Sequence, residues 1–293
     1  MKNSDKSLIV FITSAFVIGI SIQFFYYYNH APSLLLFAMW APTIALLLSG
    51  KDSIREVWPQ IKKISCLYVL IGFFMPIFFS ITYQCSLYLL NLGKLNVDTF
   101  EFSADGLYVE HIQNAHLLLG SARQHLLFFT INLFSTIIFA GVINTFIGAL
   151  GEEIGWRGFL FKRLQQYSEP INSAIIVGIL WAYWHIPANI AGINGQEHVW
   201  ITALIIFPLH ALALALFFSW LTIKSGSIWP AAFAHGVNNT ISNIEFIKAN
   251  SSTIESVVSL FFSLLLACIS ILLIQKIQTD ELKRKYLLVV KQS

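Results

Sequence analysis

The chain has 293 residues, of which 56% are hydrophobic and 11% charged, with a formal net charge of +3 and a mean hydropathy of +0.69. Soluble domains carry about 25% charged residues, so the composition excludes an ordinary soluble protein and describes a polytopic membrane protein. Its small basic excess is spread over several segments rather than massed in one patch, which argues against nucleic acid as a partner.

Apolar runs occur at 8–28, 33–49, 64–90, 126–161, 172–190, 199–222, 226–246 and 256–275. At about 1.5 Å per residue, each crosses or nearly crosses a hydrocarbon core of about 30 Å. They predict an all-α membrane bundle of about eight transmembrane helices, organised as a single domain over 1–293. The first run follows a short basic stretch, as a signal peptide would. It exceeds the usual h-region and has no small-x-small cleavage site, so it reads as an uncleaved helix. The run 126–161 is too long for a simple span and predicts a tilted helix, an interfacial extension or a broken pair. In the fifth run, Pro187 predicts a kink two residues beyond His185.

With eight spans, 15 of the 18 Lys and Arg residues fall on the side shared by both termini. They run from Lys2 and Lys6 through Lys51, Arg55, Lys62, Lys63, Arg157, Lys162, Arg163 and Lys224 to Lys276, Lys283, Arg284, Lys285 and Lys291. Only Lys94, Arg123 and Lys248 lie opposite, so the positive-inside rule puts both termini in the cytoplasm. A compact integral protein of this kind suits a bacterial plasma membrane. The connection 91–125 carries Asp98, Glu101, Asp105, Glu110 and Arg123 and reads as a solvated, partly ordered outer loop. Its His111, His116 and His125 lack metal-ligand spacing. Cys66, Cys85 and Cys268 lie within spans and read as inert core thiols rather than a disulfide framework.

Polar residues concentrate in three of the later runs. Glu152, Glu153 and Arg157 interrupt the fourth, His185 lies in the fifth, and His235 and Asn239 lie in the seventh. A charged side chain at the bilayer centre costs at least about 2.5–3.5 kcal/mol, so a set of them calls for a chemical explanation. Counted from the basic helix ends, the depths of Glu152, His185 and His235 agree at about 14–20 Å, which predicts one pocket. Glu153 and Arg157 are four residues apart and suited to pairing. Glu152 is turned about 100° from Glu153 and is left to face the pocket. His235 and Asn239, also four apart, share a helix face and suit one substrate group. Gly151 and Gly155 form a small-xxx-small pair that would admit the histidine-bearing helices. Trp181 and Trp184 read as packing aromatics, and His210 as a hydrogen-bonding bridge between helices. The polar residues crowd the second half of the chain without a counterpart in the first, which counts against an ion-coupled transporter built from inverted repeats.

The set Glu-Glu-x-x-x-Arg at 152–157, an aromatic-x-x-x-His element at 181–185 and His-x-x-x-Asn at 235–239, in that order on separate spans, resembles the CPBP family of intramembrane proteases. That family includes the type II CAAX prenyl endopeptidases and bacterial relatives linked to bacteriocin processing or immunity. Trp181 stands where the family's motif usually has Phe. The resemblance covers 126–246 and implies a catalytic core there. It implies an endopeptidase in which Glu152, with His185, activates water while His235 and Asn239 donate to the oxyanion. Glu153, Arg157 and Trp181 would then orient substrate or hold the structure. No cofactor is needed for this chemistry. The resemblance also admits zinc on Glu152, His185 and His235, although Asn suits an oxyanion donor better than a zinc ligand. The implied partners are the lipid bilayer and a peptide or membrane-protein substrate, prenylated or not. A non-catalytic scaffold or immunity protein is the alternative from another class.

Overall fold

The computed structural model describes residues 3–29, 31–113, 117–120, 122–193 and 198–290. Lys2, His116 and Lys291 lie outside the described residues, as do the side chains of Lys283, Arg284 and Lys285. The helices are α1 (Asn3–Asn29), α2 (Pro32–Met39), α3 (Ala41–Leu48), α4 (Lys51–Lys62) and α5 (Cys66–Leu89). They continue as α6 (Leu126–Leu164), α7 (Pro170–Trp184), α8 (Ile186–Ile190), α9 (Val199–Ser225), α10 (Trp229–Ile241) and α11 (Ser252–Val290).

The fold is an all-α membrane bundle, and all eight apolar runs are helical. Among the described residues, however, only five helices are long and apolar enough to cross a membrane: α1, α5, α6, α9 and α11. The second run breaks at Trp40 into α2 and α3, and the fifth breaks at His185 into α7 and α8. The seventh ends at Ile241, leaving α10 with 13 residues, or about 20 Å. Its shortness is tolerated because α5, α6 and α9 pack around it. Exposed Phe74, Phe78, Ile81, Leu264 and Leu272 mark the outward faces of α5 and α11, as expected where lipid replaces water. Cys66, Cys85 and Cys268 are free thiols exposed on such faces, not the core thiols expected from sequence.

α10 begins cleanly because Gly226, at φ 65°, closes α9 in the left-handed conformation, and Pro230 then occupies the first turn of α10. Its small residues allow close approach. A Cβ on Gly236 would lie 2.6 Å from the Thr145 backbone nitrogen on α6, and one on Gly72 of α5 would meet the Pro230 carbonyl at 2.2 Å.

The long fourth run is not a broken pair. It is one continuous helix of 39 residues containing two wide, π-type stretches, Thr145–Ala149 and Ile154–Phe161, on either side of the carboxylates. Such widening loosens the regular backbone ladder, and neighbouring side chains take up carbonyls along it. Trp40 Nε1 donates to the Ile147 carbonyl at 2.5 Å, Thr43 Oγ1 to that of Gly151 at 2.6 Å, and Gln60 Nε2 to that of Gly158 at 2.9 Å.

The connection 91–125 is more ordered than expected. Strands β1 (Gly93–Leu95), β2 (Phe100–Phe102), β3 (Tyr108–Ile112) and β4 (Gln124–His125) form within it. β2, β3 and β4 make an antiparallel sheet, while β1 pairs with β5 (Ile247–Ala249) beyond α10. Phe100, Val109 and Ile112 bury against Phe129 and Ile137 of α6 and Ile241 of α10. Asn132 and Thr136 of α6 also accept the backbone N–H groups of Leu119 and Leu118. His125 is an N-cap for α6, accepting from the Leu127 N–H at 3.3 Å.

The glycine seam on α6 yields a stability prediction. A Cβ on Gly155 would lie 2.4 Å from Pro42 Cβ and 2.7 Å from the Pro42 carbonyl carbon. Because α3 must move to accept it, Gly155→Ala should cost about 1–3 kcal/mol, read as a lowered thermal midpoint of the solubilised protein.

Candidate active site

Each side chain of the polar set is positioned by a distinct local feature. Glu152 and Glu153 sit on the short regular stretch of α6 between its wide turns. They are 1% and 0% exposed, and Arg157 is 0% exposed. The i,i+4 spacing of Glu153 and Arg157 is realised as an ion pair, with Nη1 donating to Oε1 at 2.9 Å. The same Oε1 accepts from His235 Nδ1 on α10, also at 2.9 Å. Glu153 is thereby engaged from its own helix and from across the bundle.

Glu152 has a different partner. Its Oε2 accepts from Trp181 Nε1 of α7 at 2.5 Å. The same indole lies under the Arg157 guanidinium at 4.6 Å and meets the rings of His185 and His235, each with centroids 5.4 Å away. Trp181 is therefore the common neighbour of α6, α7 and α10. Phe218 of α9 completes the enclosure, stacking on His235 at 5.7 Å and lying 5.1 Å from Arg157.

His185 occupies the joint between α7 and α8, where the chain leaves helical geometry at φ −84°, ψ 0°. Its Nδ1 lies 2.7 Å from the Trp181 carbonyl. A carbonyl only accepts, so Nδ1 carries a proton, and in the neutral tautomer Nε2 is the nitrogen able to accept. For the same reason, Nδ1 of His235 donates to the Glu153 carboxylate, leaving Nε2 on the other side of that ring.

Asn239 lies one turn beyond His235 and donates from Nδ2 to Asn144 Oδ1 at 3.4 Å. Sequence reasoning missed Asn144, which immediately precedes the first wide turn of α6. An amide embedded in an apolar run was the available signal. Gln23 carries the same signal, an amide within the first apolar run. Phe218 carried no sequence signal among the many aromatics.

The expectation for the glycine pair needs correction. Gly151 and Gly155 do not receive the histidine-bearing helices. A Cβ on Gly151 would meet Trp40, and one on Gly155 would meet Pro42, so the pair seats α2 and α3. α10 instead approaches α6 through Gly236 and Gly141. Among the described residues, no three His, Cys, Asp or Glu side chains are grouped as a metal site. His210 does bridge helices, with Nδ1 2.9 Å from Ser263 Oγ on α11.

Residues 134–241 match the family described as type II CAAX prenyl endopeptidase Rce1-like. A protein of Methanococcus maripaludis named CAAX prenyl protease 2 is 27% identical over 127 residues, which cover 42% of this chain and 47% of that relative. The chain thus matches about half the length of the curated relative. The resemblance to the CPBP family is borne out over the segment that carries Glu152, Glu153, Arg157, Trp181, His185, His235 and Asn239.

The two carboxylates should respond differently to neutralisation. Glu153→Gln leaves the buried Arg157 without its ionic partner and should cost about 3–5 kcal/mol. Glu152→Gln keeps a carbonyl acceptor for Trp181 and should cost less than about 1.5 kcal/mol. Thermal unfolding of the two variants in the same lipid or detergent checks the contrast.

Proposed function

We propose that this chain is an intramembrane endopeptidase that hydrolyses a peptide bond with water activated by Glu152. The supporting observation is the convergence on Trp181 of Glu152, Arg157, His185 and His235 from three separate helical segments. Glu153 Oε1 is shared by Arg157 and His235, whereas Glu152 is held by the Trp181 indole N–H, which supports Glu152 as the carboxylate for proton transfer.

In this reading Glu152 removes a proton from a water also held by the unprotonated Nε2 of His185, and the oxygen attacks the peptide carbonyl carbon. His235 and Asn239 donate to the resulting oxyanion. Donation from His235 Nε2 requires the imidazolium form, because Nδ1 already points at Glu153. Collapse of the tetrahedral intermediate breaks the C–N bond, and the proton carried by Glu152 passes to the leaving amine. Trp181 fixes the Glu152 carboxylate, and Arg157 balances Glu153.

The catalytic core is assigned to 126–246 within a single membrane domain. Both termini are placed in the cytoplasm, in a bacterial plasma membrane. The substrate class is a peptide or membrane-protein segment presented at the bilayer, and the printed name of the archaeal relative makes a prenylated C-terminal peptide the first probe.

The test uses the full chain in lipid with prenylated and unprenylated peptides. Glu152→Gln should lower cleavage by at least about 100-fold, and Asn239→Ala by about 100- to 1,000-fold in kcat. Cleavage should persist with a chelator present. Unchanged cleavage in Glu152→Gln would refute the assignment of the base, and loss with chelator restored by zinc would refute the glutamate mechanism.

A further inference from the structure

Gln23 lies within the apolar α1 helix yet is 1% exposed, and its carboxamide is spent on one place in a different helix pair. Nε2 donates to the Trp184 carbonyl at 2.9 Å, and Oε1 accepts from the Ala188 N–H at 3.2 Å. Trp184 and Ala188 are four residues apart. In an uninterrupted helix that carbonyl and that N–H would bond each other, so the amide of Gln23 substitutes for one missing rung. The neighbouring links close on backbone alone: the His185 N–H reaches the Ala182 carbonyl at 3.2 Å, and the Asn189 N–H reaches that of His185 at 2.9 Å.

The bridged gap encloses His185. A side chain inserted into a helix ladder is a recognised cause of a sharp bend, and Pro187 next to the gap lacks the N–H that would help to close it. α1 is held there by a second contact, since Trp184 Nε1 donates to the Ala15 carbonyl at 3.0 Å. Gly19 admits the indole so closely that a Cβ would lie 2.1 Å from Nε1.

We propose that Gln23 is a positioning residue for His185. By satisfying both backbone groups of the opened rung, it holds the α7–α8 joint open and fixes His185 at the end of α7, with Nδ1 turned back to the Trp181 carbonyl. α1, which lies outside the segment matched by the family model, thereby becomes part of the apparatus that sets the imidazole. The proposal rests on the reading of His185 as the partner of Glu152 in water activation. In Gln23→Leu, the Trp184 carbonyl and the Ala188 N–H can bond directly. The joint then closes towards a regular helix and His185 turns with it.

The experiment compares full-length wild type with Gln23→Leu and Gln23→Glu in lipid, using a peptide that the wild type cleaves and 15N spectra of the histidine rings. Gln23→Leu should lower kcat by about 10- to 100-fold, the scale of a misplaced catalytic group, with KM within about twofold, and should shift the His185 ring signals. A glutamic acid at 23 restores the donor only when protonated, so the ratio of Gln23→Glu to wild-type kcat should rise as pH falls from about 8 to about 5. A kcat within about twofold of wild type in Gln23→Leu, with unshifted ring signals, would overturn the proposal. A loss that follows thermal stability alone, with no recovery of Gln23→Glu at low pH, would also overturn it. Failure of the underlying peptidase reading looks different. Cleavage would then survive Glu152→Gln and His185→Ala, while the ring signals of Gln23→Leu would still report whether Gln23 holds His185.

Discussion

One oxygen atom organises the interior. Glu153 Oε1 accepts from Arg157 on its own helix and from His235 across the bundle, in a fully buried position where an unpaired charge would be prohibitively costly. Satisfying that atom fixes the rotation of α6 and the approach of α10 together. It also explains why adjacent carboxylates differ in their surroundings. Glu153 is held by two donors on one oxygen, whereas Glu152 is held through an indole N–H. The remaining guanidinium surface is covered by the faces of Trp181 and Phe218, so the cation is accommodated by π-electrons as well as by its carboxylate.

Around this centre the bundle is built from close approaches rather than bulky interdigitation. Glycines on α6 seat α2, α3, α4 and α10 in turn, at Gly148 and Gly151, Gly155, Gly158 and Gly141 respectively. Small residues are how membrane helices gain contact when lipid is as apolar as the side chains it would replace. The hydrogen bonds from Trp40, Thr43 and Gln60 to α6 carbonyls add direction to those contacts. The sheet over the end of α6 and α10 ties the two helices that contribute Glu153 and His235 through shared contacts with Phe100, Val109 and Ile112.

Much of this was legible in the chain itself. The apolar runs gave the helices because period and length are strong signals in a membrane protein, and the motif residues were found because charge in such runs is costly. What the runs could not disclose was continuity. The break at His185 depends on Gln23, more than 160 positions away, and local sequence marks only Pro187. The destination of the Gly151 and Gly155 seam was misjudged for a similar reason: small residues announce a close neighbour but not which neighbour. The sheet in 91–125 escaped notice because strands of two to five residues are shorter than the window over which alternation can be recognised.

The wide turns of α6 have an implication for how such a site could arise. A π-type turn is a helix that has absorbed an additional residue without unwinding, so everything on its far side is rotated by roughly 100° from where regular winding would put it. Thr145, against α10, opens the first widening, and Glu152, against α7, follows it. Their relative bearing is therefore dictated by a tally of peptide units, and a single-codon deletion between them would swing the acid away from its indole while altering no side chain that touches it.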